Sequence, residues 1–217
     1  ATGALAWHSD PTDFPWGNFW AYTPQANAYG LAIGLSYSGV YAFNMTNGKI
    51  VWHYIPVDTY NEQPYTSNTA PNGSYYGSSA FGSTGSMAGG GLIFAPNTEH
   101  SPTFYYRNQR LHAINASTGQ AVWTIQGIYS PSSIAFGVLV ATDTPNGFTY
   151  TFSKGPTQTT LSTSSKILAR GSPVLLEGTV TDQSSAQKGT PAIADESMTP
   201  WMEYLHMQQP KPNNAKG

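Results

Sequence analysis

The chain has 217 residues, of which 9% are charged and 13% aromatic, and its formal net charge at pH 7 is −2. This charge offers no electrostatic basis for binding nucleic acid or an acidic membrane surface. The lack of cysteine excludes disulfides, thiolate metal ligands and thiol catalysis, and no apolar run approaches the ~18 residues of a membrane span.

An internal repeat begins near the N-terminus. Residues 2–7 read Thr-Gly-Ala-Leu-Ala-Trp, residues 42–52 read Ala-Phe-Asn-Met-Thr-Asn-Gly-Lys-Ile-Val-Trp, and residues 113–123 read Ala-Ile-Asn-Ala-Ser-Thr-Gly-Gln-Ala-Val-Trp. In each copy a glycine stands four residues before a tryptophan, and a fixed spacing of this kind indicates a repeated structural unit. The residues that define the repeat are Gly3, Trp7, Gly48, Trp52, Gly119 and Trp123.

Each copy has the composition of a β-hairpin. Asn and Gly tolerate the left-handed backbone of tight turns, and the flanking residues are the β-branched and aromatic types that favour strands. A tryptophan at a fixed offset from the turn lies on the same face in every copy, where it can dock against the neighbouring copy. We therefore predict that Trp52 and Trp123 are buried at equivalent positions of consecutive units.

The repeat resembles a known motif. Its pattern, Ala-x-Asn-x-x-(Thr/Asn)-Gly-x-x-x-Trp, is similar to the Ala-x-Asp-x-x-Thr-Gly-x-x-x-Trp docking motif of the quinoprotein (pyrroloquinoline quinone, PQQ) dehydrogenase-like β-propeller repeats. Asn44 and Asn115 stand where that family usually has Asp. The resemblance covers residues 1–156 and implies an all-β fold with a partial β-propeller of about two full blades plus pieces. It leaves the activity open, because the family includes dehydrogenases, assembly-factor scaffolds and surface proteins.

Two stretches before residue 91 lack the pattern of regular strands. Residues 8–30 contain aromatic residues interrupted by prolines, which predicts an irregular segment. Residues 58–90 are rich in Tyr, Ser, Gly and Asn, the composition of binding loops, although a solvated insertion without a ligand is an open alternative. The candidate ligand-binding residues of this loop are Tyr60, Tyr65, Tyr75 and Tyr76.

The C-terminal part is predicted to be a separate region. Residues 157–165 read as a linker, and residues 166–217 as a fragment of an immunoglobulin-like (Ig-like) module, because residues 171–182 resemble the opening strands of such modules in prokaryotic surface proteins. The apolar spacing of Met198, Trp201, Met202 and Leu205 predicts a helix over residues 197–209, with Ser197 able to cap it.

Three Asn-x-Ser/Thr sequences are candidate glycosylation sites. They begin at Asn44, Asn72 and Asn115, and the first and last occupy the same turn of the repeat. Ordinary turn asparagines are the alternative interpretation. The sequons favour an extracellular or cell-surface location.

The chain shows no recognisable catalytic motif. The pairs Asp10 with Asp13 and Asp58 with Glu62 offer oxygen ligands for Ca²⁺, although acidic pairs in loops are more often simply solvated. His53 and His112 lie at strand positions, which favours a structural role. The resemblance implies that an enzyme of this family would need PQQ, Ca²⁺ and a catalytic Asp, and none of the cofactor residues is identifiable here.

These patterns predict a non-enzymatic binding or structural component, without a cofactor or metal, in a fragment of a longer β-propeller protein. Its expected partners are the rest of its own propeller or neighbouring protein chains, with glycans or cell-surface polymers as further candidates. Two alternatives stay open. One is a PQQ-dependent dehydrogenase, and the other is an extracellular filament subunit that uses strand addition between chains.

Overall fold

The computed structural model describes residues 3–12, 23–36, 38–56, 81, 85–97, 109–184, 188–205 and 211–215. The chain divides into two compact units, Ala1–Phe152 and Ser153–Gly217. Apart from one α-helix and one short 3-10 helix, its regular elements within these ranges are β-strands. This confirms the predicted all-β class. None of the described helices has the length and apolar character needed to cross a bilayer.

The first unit contains two antiparallel four-stranded sheets, and the strands of each follow chain order. Blade A contains β1 (Thr23–Ala28), β2 (Leu31–Ser36), β3 (Gly39–Asn44) and β4 (Ile50–Tyr54). Blade B contains β5 (Met87–Gly89), β6 (Leu92–Asn97), β7 (Arg110–Asn115) and β8 (Ala121–Gln126). This four-stranded meander is the form of a β-propeller blade.

The prediction of an irregular segment over residues 8–30 is wrong for the part that forms the first strand of blade A. β1 occupies residues 23–28 and contains Pro24. The strand accommodates this proline because it lies at the edge of its sheet and its pairing with β2 shifts register between Pro24 and Asn27.

A third, three-stranded sheet follows directly. Blade C contains β9 (Tyr129–Ala135), β10 (Val138–Asp143) and β11 (Thr149–Ser153), in the spatial order β11-β10-β9. The residues Pro145-Asn146-Gly147, which are typical of turns, connect β10 to β11. β9 was not predicted, because Pro131 and three serines interrupt its apolar pattern.

The three blades share the same first turn. Its two central residues have positive φ angles in every case, which is the requirement of a type I′ hairpin. They are Tyr29-Gly30, Gly90-Gly91 and Phe136-Gly137. The shared turn places β9 in the same role as β1 and β5, and β10 in the same role as β2 and β6.

The hydrophobic core lies between blades A and B. Ile33, Val40 and Ala42 of blade A and Ile93 and Ile114 of blade B are fully buried in one cluster. Because each sheet buries one face against the next, the stability of the blades depends on their contacts with each other.

The second unit begins with a hairpin. β12 (Thr157–Thr163) pairs antiparallel with β13 (Leu176–Asp182). The predicted linker at residues 157–165 is therefore wrong, because seven of its residues form a strand. The strand was not predicted because its sequence, Thr-Gln-Thr-Thr-Leu-Ser-Thr, is mostly polar and has no apolar alternation, although Thr is favourable in strands.

A short 3-10 helix, Asp195–Ser197, leads into α1 (Met198–Leu205). The predicted start at Ser197 is off by one residue, and Ser197 belongs to the preceding 3-10 turn. The remainder of the predicted helix, residues 206–209, lies outside the described residues. The described strands of this unit form a two-stranded sheet, so the Ig-like module stays a prediction.

Candidate interaction site: the tryptophan docking positions

The two complete copies of the repeat contain a turn at residues 44–48 and at residues 115–119. These motif turns have closely similar geometry. The Gly48 N–H donates to the Asn44 carbonyl at 2.8 Å, and the Gly119 N–H donates to the Asn115 carbonyl at 2.9 Å. The φ angles of Gly48 and Gly119 are +73° and +71°, in the left-handed region that glycine adopts without strain. Each asparagine side chain also accepts a backbone N–H two residues ahead. This side-chain contact explains why asparagine suits the position in which the resembling family usually has aspartate.

Trp52 of blade A docks on the motif turn of blade B. Its indole N–H donates to the Ala116 carbonyl at 2.8 Å, and the side chain is 8% exposed. A Cβ atom added at Gly119 would lie 2.6 Å from Trp52 Cγ, so only glycine leaves room for the ring. The prediction that Trp52 is buried and docks against the next copy is confirmed.

Trp7 repeats this contact one copy earlier. Its indole N–H donates at 2.9 Å to the carbonyl of Met45, which stands at the position of Ala116 in its own turn. The ring lies against Gly48, where a Cβ atom would collide with it. Asp10 fixes the same segment, because its carboxylate accepts from Lys49 Nζ at 2.8 Å and from the Ile50 N–H at 2.9 Å. Both contacts lower the pKa of Asp10, with the Lys49 hydrogen bond as the largest cause.

Trp123 stands at the third docking position and differs from the other two. The side chain is half-buried, so the prediction that it is buried like Trp52 is wrong in degree. It stacks on Phe152 with ring centroids 5.5 Å apart and lies 6.0 Å from the Phe94 ring. None of the turn glycines Gly48, Gly119 and Gly147 has Trp123 beside it. The physical reason is in the sequence, where Ser153-Lys154-Gly155-Pro156 replaces the motif turn in blade C.

A buried polar network joins blades A and B beside these positions. The Tyr54 hydroxyl lies 2.9 Å from His112 Nδ1, and His112 Nε2 lies 3.1 Å from Asn97 Oδ1. Because an amide oxygen only accepts, Nε2 carries the proton and Nδ1 accepts from the tyrosine. The Arg110 N–H also donates to Asn97 Oδ1. The sequence predicted a structural His112, but not its partners, which come from distant parts of the chain.

Burial of this network determines its charge state. Desolvation lowers the pKa of His112 to about 3, with a smaller contribution from the Arg110 charge, and desolvation raises the pKa of Tyr54 above its usual value. Both side chains are therefore neutral in the folded protein at neutral pH. Their role is to satisfy each other's hydrogen-bonding groups in the interface between blades A and B.

This network predicts a pH dependence of stability. The pKa of His112 in the folded chain, about 3, lies below its reference value of 6.5. The contribution of His112 to the free energy of unfolding is therefore complete above about pH 6.5. It is lost as the pH falls towards 3, by about 1.4 kcal/mol per pH unit. Urea unfolding at pH 7, 6, 5 and 4 measures this slope. The His112→Gln variant removes the titrating group, and an equal slope in both proteins would contradict the assignment.

A shallow groove lies where the first turns of blades A and B meet. Its volume is about 420 Å³, and its lining includes Tyr29, Val51, Gly91 and Ser117. The Gly91 N–H donates to the Tyr29 hydroxyl at 2.9 Å, which ties the two turns together. The described residues that line this groove include no charged side chain.

The remaining candidate residues fall into two groups. The Asn44 and Asn115 side chains lie in exposed motif turns, and their glycosylation stays a prediction. In the described ranges, His, Asp and Glu side chains form no group of three arranged to hold a metal ion. Outside the described residues lie Tyr60, Tyr65, Tyr75, Tyr76, Asn72, Asp13, Asp58 and Glu62.

Comparison with known proteins finds similarity in sequence and in structure. A tetrathionate hydrolase from Acidithiobacillus ferrooxidans is 31% identical over 123 residues, which are 50% of this chain and 24% of the hydrolase. The chain thus spans about a quarter of the length of this curated relative. The crystal structure of BamB from Moraxella catarrhalis matches with a TM-score of 0.34 and 16% identity over 59% of this chain and 39% of that chain. No protein-family model matches. By its strand order and docking contacts, the first unit is a partial β-propeller.

Proposed function

We propose that the first unit is a non-enzymatic binding or structural module that joins further blades or neighbouring chains through its tryptophan docking positions. The observation that best supports this role is the contrast between Trp52 and Trp123. Trp52 fills the motif turn of the next blade, whereas Trp123 is half-buried and has no motif turn beside it among the described residues.

The chemistry of the Trp123 position defines its partner. At the two occupied positions, the indole N–H meets a backbone carbonyl and the ring covers a glycine with positive φ. A partner that provides an Ala-x-(Asn/Asp)-x-x-(Thr/Asn)-Gly turn therefore fits Trp123. The next blade of this propeller, blade C, already contacts Trp123 through Phe152, so that turn is expected to come from another protein chain.

Site-specific crosslinking tests this proposal. A photo-crosslinking amino acid replaces Trp123 in the chain produced in its own cells, and the crosslinked peptides are identified by mass spectrometry. We expect peptides that contain the motif turn. The same crosslinker at the exposed Gln120, on a turn already occupied by Trp52, is the matched control. Crosslinks from position 123 that reach only Phe94 and Phe152 would contradict the proposal.

A second candidate function comes from the sequence comparison. The 31% identity with a tetrathionate hydrolase supports a segment of a hydrolase that acts on tetrathionate or a related sulfur compound. The test is loss of tetrathionate in the presence of the purified chain, with heat-denatured chain as the control. Turnover above that control would replace the binding role as the primary function, and no turnover is expected from a binding module.

The quinone-dependent dehydrogenase is a further alternative. Of the carboxylates in the described part of the first unit, Asp10 binds Lys49, and Asp143 accepts from the Ile128 N–H at 3.2 Å. Both are engaged in local structure. We expect no dye reduction with alcohols or sugars after addition of PQQ and Ca²⁺, and reduction that a chelator abolishes would overturn this expectation.

For the second unit we propose an Ig-like extension of an extracellular or cell-surface protein. The opening-strand pattern of residues 171–182 and the pairing of β12 with β13 support this assignment. The sequons support the location. Mass spectrometry of the protein from its own cells tests both, because a glycan on Asn44, Asn72 or Asn115 requires passage through a glycosylating compartment.

A further inference from the structure

The outer edge of β12 is exposed and unpaired among the described residues. All seven residues of β12 are exposed, and the strand pairs with β13 along its full length without a bulge. The Ser164 N–H donates to the Leu175 carbonyl, and the Gln183 N–H donates to the Pro156 carbonyl. These two bonds determine which residues of β12 direct their backbone N–H and C=O groups towards β13. The backbone groups of Thr157, Thr159, Leu161 and Thr163 therefore point away from β13.

The outer edge of β13 is different, because residues 190–192 cover part of it. The Ala192 N–H donates to the Val180 carbonyl at 3.0 Å, and the Asp182 N–H donates to the Thr190 carbonyl at 2.8 Å. A bridge joins Thr181 and Pro191. Within the described part of this unit, an added strand therefore has a continuous edge only on the β12 side.

The charge pattern identifies the occupant. β12 contains no charged residue, proline or bulge, which are the usual means of blocking an edge strand. Glu177 and Asp182 both lie on β13. A second copy that pairs through β12 brings no charged side chain into the contact, whereas pairing through β13 would bring both carboxylates of each copy into it. The small net charge of −2 adds little repulsion between copies.

We propose that β12 pairs antiparallel with β12 of a second copy, around a two-fold axis at Thr160. In this register Thr157 lies opposite Thr163 of the other copy, and Thr159 lies opposite its Leu161. The outward backbone N–H and C=O groups of each copy then face the outward groups of the other copy, as a symmetric interface requires. The result is one four-stranded sheet in the order β13-β12-β12-β13.

Side chains support the same register. Leu161, Leu176 and Val180 share one face of the hairpin and are 70%, 56% and 46% exposed. The two-fold pairing brings Leu161 of both copies within diagonal reach on that face. Because the pairing closes on itself, it gives a dimer and does not by itself propagate a filament.

Cysteine crosslinking tests this register directly, since the chain has no cysteine of its own. Thr160→Cys places two sulfurs on the axis, where Cα atoms of a non-hydrogen-bonded pair are about 4.5 Å apart, within the range of a disulfide. We expect most of the T160C protein to form a disulfide-linked dimer under mild oxidation. Thr179→Cys, the neighbour of Thr160 on β13, is the matched control and is expected to form little.

The mass in solution is the second readout. Sedimentation velocity of the unmodified chain is expected to show a monomer–dimer equilibrium. Thr159→Pro removes an outward N–H, Leu161→Lys adds a charge beside the axis, and both are expected to shift the equilibrium to monomer. Leu176→Lys, on the same face of β13, is expected to leave it unchanged. A monomer at all concentrations, equal crosslinking of T160C and T179C, or a dimer insensitive to T159P and L161K would overturn the proposal. None of these readouts depends on the role of Trp123.

Discussion

Replacing Trp52 with alanine is expected to lower the free energy of unfolding by about 3–5 kcal/mol. The ring is 8% exposed and lies in the core that joins blades A and B, so its removal leaves a cavity that the backbone of Gly119 cannot fill. It also leaves the Ala116 carbonyl without its indole donor, which adds about 1 kcal/mol. Urea unfolding followed by circular dichroism measures the change.

Trp123→Ala is the matched control, because both residues stand four positions after a motif glycine. Trp123 is half-buried, and we expect its loss to cost about 1–2 kcal/mol, less than the loss of Trp52. Trp52→Phe keeps most of the packing and removes the N–H. Equal losses for the two alanine variants would show that docking on the next turn does not distinguish the two positions.

Gly119→Ala is expected to destabilise the chain by about 2–5 kcal/mol. Two effects add, namely about 1–2 kcal/mol for a side chain in the left-handed region and about 1–3 kcal/mol for overpacking against the ring. The second effect follows from the 2.6 Å between the added Cβ atom and Trp52 Cγ. Thermal and urea unfolding both measure the sum.

The chain provides a control for the backbone effect alone. Gly147 closes a turn of the same type, with the N–H of Gly147 donating to the Asp143 carbonyl at 2.9 Å. Its φ is +69°, against +71° at Gly119, and no atom lies within 4 Å of its added Cβ. Gly147→Ala is therefore expected to cost only about 1–2 kcal/mol. A cost at Gly147 equal to that at Gly119 would contradict the docking contribution.

The docking arrangement could be predicted from the sequence because its determinants lie within eleven residues. Gly48 and Gly119 mark turns that need positive φ, and the offset to Trp52 places the ring on a defined face. The contact with the next copy then follows from the repeat itself. Trp123 has the same local sequence, but it is only half-buried because blade C has no motif turn after Phe152.

The features that escaped prediction depend on partners far apart in sequence or on polar strands. Tyr54 and His112 are 58 residues apart, and no local pattern marks their hydrogen bond. β9 contains Pro131, which is tolerated because the strand lies at a sheet edge and its register shifts beside that residue. β12 has no apolar alternation, because both of its faces are exposed.

The central claim is that the tryptophan of each copy docks on the glycine turn of the next, and a double-mutant cycle between Trp52 and Gly119 tests it most directly. The cost of Gly119→Ala is measured in the wild-type chain and in the Trp52→Ala chain, and the cost of Gly147→Ala is measured in both as the reference. We predict that the excess cost at Gly119, about 1–3 kcal/mol, disappears when the ring is absent, because the added methyl group then enters the space that the ring occupied. An excess that persists unchanged in the Trp52→Ala chain would contradict the docking of Trp52 on this turn.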